Sequence, residues 1–508
     1  MSLVRGFKRL CAPLICSSLL LAFGPPSVAA GAVPSMKPFL RLGPAQAQVA
    51  SPDGTPGPQY GLFGCQVVGA SAANCLDPYQ MRTAYKLDSL VAAGYDGTGQ
   101  TIVIVDAFSN PYIVDQVAAF NAFYGLPATK LTTIAPDGLT PFDVSDANMV
   151  GWAEEISLDV EWAHAIAPGA KIVLVLAKSN SDADLVSALK YAVDNHLGDV
   201  ISMSFGENES CVGPDLTAAY HQVFADATKK NISLFASSAD QGAALSTCDG
   251  TSWVKAVSSP AVDPLVTSVG GTELTVAKYC LASRGCVPSS NPAPGTYQSE
   301  VVWNEGLPYG DYGNVFGYGT LSGGGGFSII YPLPPYQKGT LPHSNQRALP
   351  DVSYSGSVEH GVLTFLDGRL FGSTGTGVYL FGGTSAGAPQ WAAIASIANQ
   401  KAGHDLGFLN AAIYRIGLST AAATSLHDIT IGTNSSLQFD AANGAVDISG
   451  YSAGPGWDAA SGAGSPIGAS MVDQLVAQYL SGDGQAAIST TKAKPMPKPQ
   501  VPGKAHPH

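Results

Sequence analysis

Apolar positions along the chain follow two rhythms. Short β-branched runs, TIVIVDAF (101–108), KIVLVLA (171–177), DVISMSF (199–205) and NISLFAS (231–237), have the length of buried strands. Between them the pattern takes the helical period, as in SDADLVSALKYAVDNH (181–196). Strand and helix in alternation predict an α/β fold, a parallel sheet covered by helices on both faces. Residues 270–380 are Gly- and Pro-rich with few helical patterns, so long loops and hairpins of the same domain are expected there. No internal repeat interrupts the scheme.

The ends of the chain differ from its middle. Arg5, Lys8 and Arg9 precede an apolar run through Phe23, broken by Pro13, Gly24 and Pro25 and followed by small residues near Ala30. This is the pattern of a secretory signal peptide over residues 1–30 rather than of a membrane span. Residues 31–74 read as a Pro/Gly/Ala-rich leader, 75–480 as the main folded domain, and 481–508 as a disordered Pro/Lys-rich tail. Export, to the medium or a periplasm, gives the cysteines meaning: six remain after the signal. Pairing 65 with 75, 211 with 248 and 280 with 286 is the simplest of the fifteen arrangements.

Charge narrows the partners. With 25 basic and 38 acidic residues the formal net charge is −13, which argues against a nucleic-acid partner. Charged residues make up only 12% of the chain, about half the usual share. In acid, carboxylates neutralise while Lys, Arg and His stay positive, so a chain poor in basic residues avoids self-repulsion there.

The candidate chemistry starts at GVYLFGGTSAGAPQWAA (377–393), where Ser385 occupies a small-residue turn between an apolar run and a helical pattern. A serine hydroxyl needs a base, usually histidine. His164 lies in GWAEEISLDVEWAHAIAPGAK, yet at about 100° per residue it falls on one stripe with Glu154, Ser157 and Glu161. The other stripe, Trp152, Glu155, Ile156, Asp159, Ala163 and Ile166, is apolar except for two carboxylates one turn apart. Burial and mutual repulsion raise the pKa of such a pair, which then shares a proton and can serve as a base in acid, where histidine is protonated. The periodicity alone is equally compatible with acids that turn to solvent at a helix edge. Asp240, at the end of the NISLFAS strand, can face a cleft at the carboxyl end of the sheet. In protonated form it would donate to an oxyanion; as an ordinary residue it would simply form a turn.

EISLDVEWAHAIAPGAKI, SSADQGA, GGTSAGAP, LHDIT and AGPGWDAASGAGSP, in this order along the chain, resemble the sedolisins, serine-carboxyl peptidases with a subtilisin-like fold. CLDPYQMRTAY, SGGGGFSIIYPLPPYQ and LPDVSYSG are similar to further family segments, and the likeness covers about residues 75–480. The resemblance implies Ser385 as nucleophile, Glu155 as general base, Asp159 as the carboxylate that orients and protonates it, and Asp240 as oxyanion donor. Asp106 matches a further acidic position. It also implies an acid-acting endopeptidase on proteins or oligopeptides, a single large catalytic domain, and one calcium ion near the C-terminus. The ion would be held by Asp428 and Asp458 carboxylates and the Ile429, Gly454 and Gly456 carbonyls, oxygen ligands suited to a hard cation. Two departures stand out. Only roughly 45 residues separate the expected signal cleavage from CLDPYQ, where the family commonly has a domain-sized propeptide, and Ala239 and Gln241 flank Asp240 where relatives commonly have G-D-S-G.

Two other readings compete. G-T-S-A-G also fits the nucleophile elbow of an α/β-hydrolase esterase, with Asp405 and His427 as partners of Ser385. A non-catalytic secreted binding protein is the second. In every reading the expected protein is a monomer without stable membrane insertion.

Overall fold

The computed structural model describes residues 61–70, 74–305, 319–340, 344–440 and 444–480, with the backbone of 37–38, 41–43 and 48–49. The expected signal segment and tail lie outside the described residues. In chain order the elements that position the site are β1 (Lys37–Pro38), β2 (Arg41–Gly43), β3 (Thr101–Ala107), α1 (Ile113–Tyr124), β4 (Lys130–Ile134), α2 (Ala147–Ile166), β5 (Lys171–Ala177), α3 (Asp182–Asp194), β6 (Val200–Met203), β7 (Phe205–Asn208), α4 (Pro214–Lys229), β8 (Ser233–Ser237), β9 (Thr267–Val276), β10 (Tyr297–Val302), β11 (Val352–Ser355), β12 (His360–Asp367), β13 (Thr376–Gly382), α5 (Thr384–Ala402) and α6 (Gly468–Leu480).

The central sheet runs β10-β9-β8-β6-β3-β5-β4, with β11 also paired to β9; all are parallel except β10. The four runs singled out in the sequence supply β3, β5, β6 and β8. Alternation along β3 divides the core: Ile102 and Ile104 join the cluster containing α1, α2, α5 and α6, while Val103 and Val105 join that of α3 and α4. A strand whose side chains are buried on both faces must be apolar throughout, which is why β3 and β5 read as continuous runs. The region 270–380 does hold hairpins such as β12 with β13, but also β11, a strand of the parallel sheet whose short VSYS lacks an apolar run. Leu62 and Val67, ahead of residue 75, pack into the larger core cluster as well.

Disulfides join Cys65–Cys75, Cys211–Cys248 and Cys280–Cys286, the simplest pairing. Among the described residues no helix is long and apolar enough to cross a membrane.

Candidate active site

Helix α2 starts under an Asp146 cap, whose carboxylate accepts the Asn148 and Met149 amides. From Trp152 onward every residue of the helix is buried. Glu155 and Asp159 are both fully buried, and so is the other stripe, which the sequence left as a polar face. Three of its groups have partners: Ser157 donates to the Ala153 carbonyl, one Glu161 oxygen accepts the Phe365 amide at 2.9 Å, and the His164 ring meets the Pro127 carbonyl at 2.9 Å. Burial pushes the His164 pKa down to about 4, so it is a neutral ring committed to a carbonyl.

Helix α5 follows β13 through Gly383, whose φ of +104° is accessible to glycine at little strain. Ser385 therefore lies in the first turn of a buried helix. Pro389 has no N–H for the carbonyl of Ser385, and that carbonyl is instead 3.4 Å from the Ser204 hydroxyl. In return the Ser385 hydroxyl is 3.4 Å from the Ser204 carbonyl. Ser204, in the break between β6 and β7, also donates to Asp159 Oδ1 at 2.9 Å. One residue thus ties the serine turn to the acid helix.

Burial lifts the Glu155 carboxyl well above the ordinary range; Asp159 and Asp106 push it further, and the Ser385 hydroxyl opposes them. Neither Glu155 oxygen completes a hydrogen bond of ordinary length, and the Ser385 hydroxyl is among the groups close enough to perturb it. Asp159 is raised by burial and then by Asp106, against the pull of Ser204 and Glu155. Asp106, near the carboxyl end of β3, follows the parity of Ile102 and Ile104 and so points to the α2 and α5 side. Its oxygens make no hydrogen bond among the described residues, and burial raises its pKa to about 8.

Asp240 follows β8 and is fully buried. Its Oδ1 accepts both the Thr384 amide, at 2.7 Å, and the Thr384 hydroxyl, at 2.9 Å. The Asp240 loop is closed by the SGGGG run: Gly324 donates to the Ala239 carbonyl and Ser322 to the Asp240 carbonyl. A Cβ on Gly324 would lie 2.1 Å from the Ser238 oxygen, so the run is glycine because the backbones touch. Ala239 has φ of +105°, a conformation that favours glycine, so the departure from the relatives' motif sits on strained backbone.

Sequence reasoning missed Ser204, Thr384 and Pro389. Thr384 and Pro389 stood in the quoted GGTSAGAP, and Ser204 ends a strand run at the level of Asp240; being at a strand's carboxyl end was the available signal.

The esterase partners are not brought to the serine. His427 is stacked on Tyr297 with ring centroids 3.9 Å apart, and burial holds its pKa down to about 4. Asp405 lies with His196 and Asp199, their ligand atoms all within 4.8 Å. Asp199 accepts the Thr101 amide, which puts this group at the amino end of β3, the opposite end from Asp106.

The loop expected to bind a cation gathers its residues. Asp428 accepts the Gly456 amide at 3.1 Å on each oxygen, and Asp458 accepts the amides of Gly454, Ala460 and Ser461. The Ser461 hydroxyl reaches both Asp458 and, at 3.5 Å, the Ile429 carbonyl. Among the described residues no Lys, Arg or His pairs with either carboxylate. Two acids and a carbonyl brought together without a basic partner are a donor set that fits a hard divalent cation.

The architecture, a parallel sheet between helices with a serine in the first turn of a buried helix, is the subtilisin-like α/β fold in one catalytic domain. A sequence model described as the subtilase family matches residues 148–464. Kumamolisin of Bacillus sp. (strain MN-32) is 32% identical over 416 residues, 80% of this chain and 65% of its own length. Sedolisin of Pseudomonas sp. (strain 101) is 27% identical over 411 residues, 79% of this chain and 61% of its own. The solved Pseudomonas sedolisin, a serine-carboxyl proteinase complexed with pseudo-iodotyrostatin, superimposes with a TM-score of 0.64 at 25% identity, covering 82% of this chain and 100% of that one. The chain belongs to the subtilase family, in its sedolisin branch. It spans 65% and 61% of the length of these two curated relatives.

Proposed function

We propose that the chain is an exported serine-carboxyl endopeptidase that cleaves proteins or oligopeptides in acid. The observation that carries this reading is the surroundings of Glu155: the Ser385 hydroxyl and the carboxyls of Asp159, Asp106 and Asp240 are the groups that perturb it, with no imidazole among them. Ser385 Oγ attacks the peptide carbonyl and Glu155 takes its proton. Asp159, fixed by Ser204, shares a proton with Glu155 and so keeps the pair from carrying two adjacent charges. The Thr384 bonds hold Asp240 beside the serine turn, where its protonated carboxyl would donate to the oxyanion. Glu155 then returns the proton to the departing amine, and water releases the acyl group by the reverse path. Asp106 extends the acid array behind Asp159.

Asp428 and Asp458, with the carbonyls of Ile429, Gly454 and Gly456, would hold one calcium ion. Bound there it would neutralise two acids and cross-link the two loops that carry them. Export is supported by the residue 1–30 pattern and the three disulfides.

The test is incubation of acid-denatured protein at about pH 4 with the chain and with Ser385→Ala. Fragments from the wild type alone are expected. Fragments from both would assign the cleavage to something other than Ser385, and fragments from neither, with a processed and folded chain, would support the binding-protein reading.

A further inference from the structure

The SGGGG run that closes the Asp240 loop continues into a strand, Gly326–Pro332. This strand is antiparallel to Gln346–Leu349, with Gly326 opposite Leu349, Phe327 opposite Ala348 and Pro332 opposite Gln346, but the register breaks between Phe327 and Pro332. Its middle residues take their support from side chains instead. Glu209, just past β7 and only 2% exposed, accepts the Ser328 hydroxyl on one oxygen and the Ile329 amide on the other, both at 2.7 Å. The Ser328 oxygen in turn accepts the Ile330 and Tyr331 amides, at 3.0 and 2.8 Å.

A second anchor lies at Tyr331. Its hydroxyl donates to Asp263 Oδ2 at 3.1 Å, and the same oxygen meets His221 Nδ1 of α4 at 2.8 Å. Asp263 is buried in the loop that leads into β9, where its other oxygen accepts the Leu265 amide at 2.9 Å. Ile329, between the anchors, is 72% exposed, so the strand has solvent on one side.

Both anchors favour acid. Burial raises the Glu209 carboxyl from 4.5 to about 7, with the donors from Ser328, Ile329 and Ile330 opposing it. Between those values the folded chain keeps a proton that the unfolded chain has released, so this contribution is full below 4.5 and lost as pH rises through about 7. The hydrogen bond to Asp263 raises His221 from 6.5 against its own burial; that contribution is present below 6.5 and lost as pH rises through the raised value. Tyr331 faces both Asp263 and Glu209, and Tyr336 also faces Asp263. On α4 the positions one turn from His221 are Thr217, Ala218, Phe224 and Ala225, none of them charged. Arg347, on the paired strand, is committed to Asp351.

We propose that Gly326–Pro332 is a strap fastened by acid: with Glu209 and His221 protonated it is seated on Glu209 and Asp263, and at neutral pH it lifts, drawing the SGGGG run off the Asp240 loop. The lifting is independent of the peptidase reading; its consequence, a site disarmed at neutral pH, rests on that reading.

Lifting is read without turnover by hydrogen exchange on the full chain carrying Ser385→Ala, at about pH 5 and 8, each rate divided by the intrinsic rate at that pH. Protection of the 328–331 amides should fall at least about tenfold at the higher pH while β3 and β6 keep theirs. Glu209→Gln keeps an acceptor without the charge and should reduce that fall. His221→Gln removes the charge and should lower protection already at pH 5. Equal protection at the two pH values, a fall shared by β3 and β6, or a fall that neither substitution moves overturns the proposal. The consequence is read as kcat/KM on a peptide from about pH 4 to 8 with Ser385 intact, where Glu209→Gln should hold activity to higher pH than the wild type. A strap that lifts with the pH profile unmoved by Glu209→Gln overturns the consequence. If the strap lifts and no peptide or protein is cut at any pH, the peptidase reading fails while the strap stands.

Discussion

Two sets of buried charge in this molecule are handled in opposite ways. Arg347 and Asp351 are fully buried and bonded through both ends of the guanidinium, at 2.7 and 2.6 Å. Asp351 also accepts the Ser268 amide and the Tyr414 hydroxyl. Asp106, Glu155 and Asp159 are as deeply buried, yet they face one another with no basic partner and few donors. The first arrangement stabilises two charges by pairing them. The second keeps acids from ionising freely, as the proposed proton transfer at Ser385 requires. Equal burial therefore says little about role; the presence of a counter-charge separates the Arg347–Asp351 pair from the acids proposed to handle protons.

The largest expected effect falls on turnover. Ser385→Ala and Glu155→Gln should each lower kcat by about 10⁴-fold or more, and combining them should add little because the groups act as one unit. Additive losses would mean that Glu155 is not the base for this serine. Next comes the paired set. Arg347→Met leaves Asp351 buried and unpaired and should lower stability by roughly 3–5 kcal/mol in denaturant titration. Glu155→Gln, which removes an unpaired acid, should be stability-neutral or better at neutral pH; a comparable loss there would erase the contrast. A chelator should lower Tm, by about 3 kcal/mol of stability if calcium had stood at about 100 times its Kd, and an unchanged Tm would remove the ion from the loop.

The pH dependence of stability sharpens the contrast further. Burial raises the Asp106 pKa from 3.8 to about 8, so between those values the folded chain holds a proton that the unfolded chain has released. The contribution of Asp106 to stability is therefore fullest in acid and is lost as pH rises through this window. Asp106→Asn should flatten part of that fall in Tm measured from pH 4 to 8, whereas Arg347→Met, which strands a buried carboxylate, should lower Tm and steepen the fall. The smallest effect concerns the strained turn: Ala239→Gly should raise stability by about 1 kcal/mol by relaxing the φ of +105°.

Much of this was legible in the chain. β-branched runs of strand length gave four strands of the sheet, because strands buried on both faces must be apolar along their whole length. The stripe of α2 put Glu155 and Asp159 on one face, since helical spacing is a local property. What the sequence hid is tertiary. Glu161 reads as a solvated acid until the Phe365 amide is seen on it, and nothing near VSYS reveals that β11 completes a parallel sheet begun far upstream. Arg347 and Asp351 sit i,i+4 but outside any helix, so their pairing has no periodic signal. The leader's Pro, Gly and Ala content gave no sign of its pairing with β7 and β13, because an outer strand held through its backbone needs no side-chain pattern.

The central claim is that a glutamate, not a histidine, takes the proton of Ser385. The most direct measurement is kcat/KM from about pH 3 to 8 for the chain, Glu155→Gln and His427→Ala on one peptide substrate. The account predicts activity greatest in acid, abolished by Glu155→Gln and retained by His427→Ala. Activity confined to neutral or alkaline pH and lost in His427→Ala would contradict it.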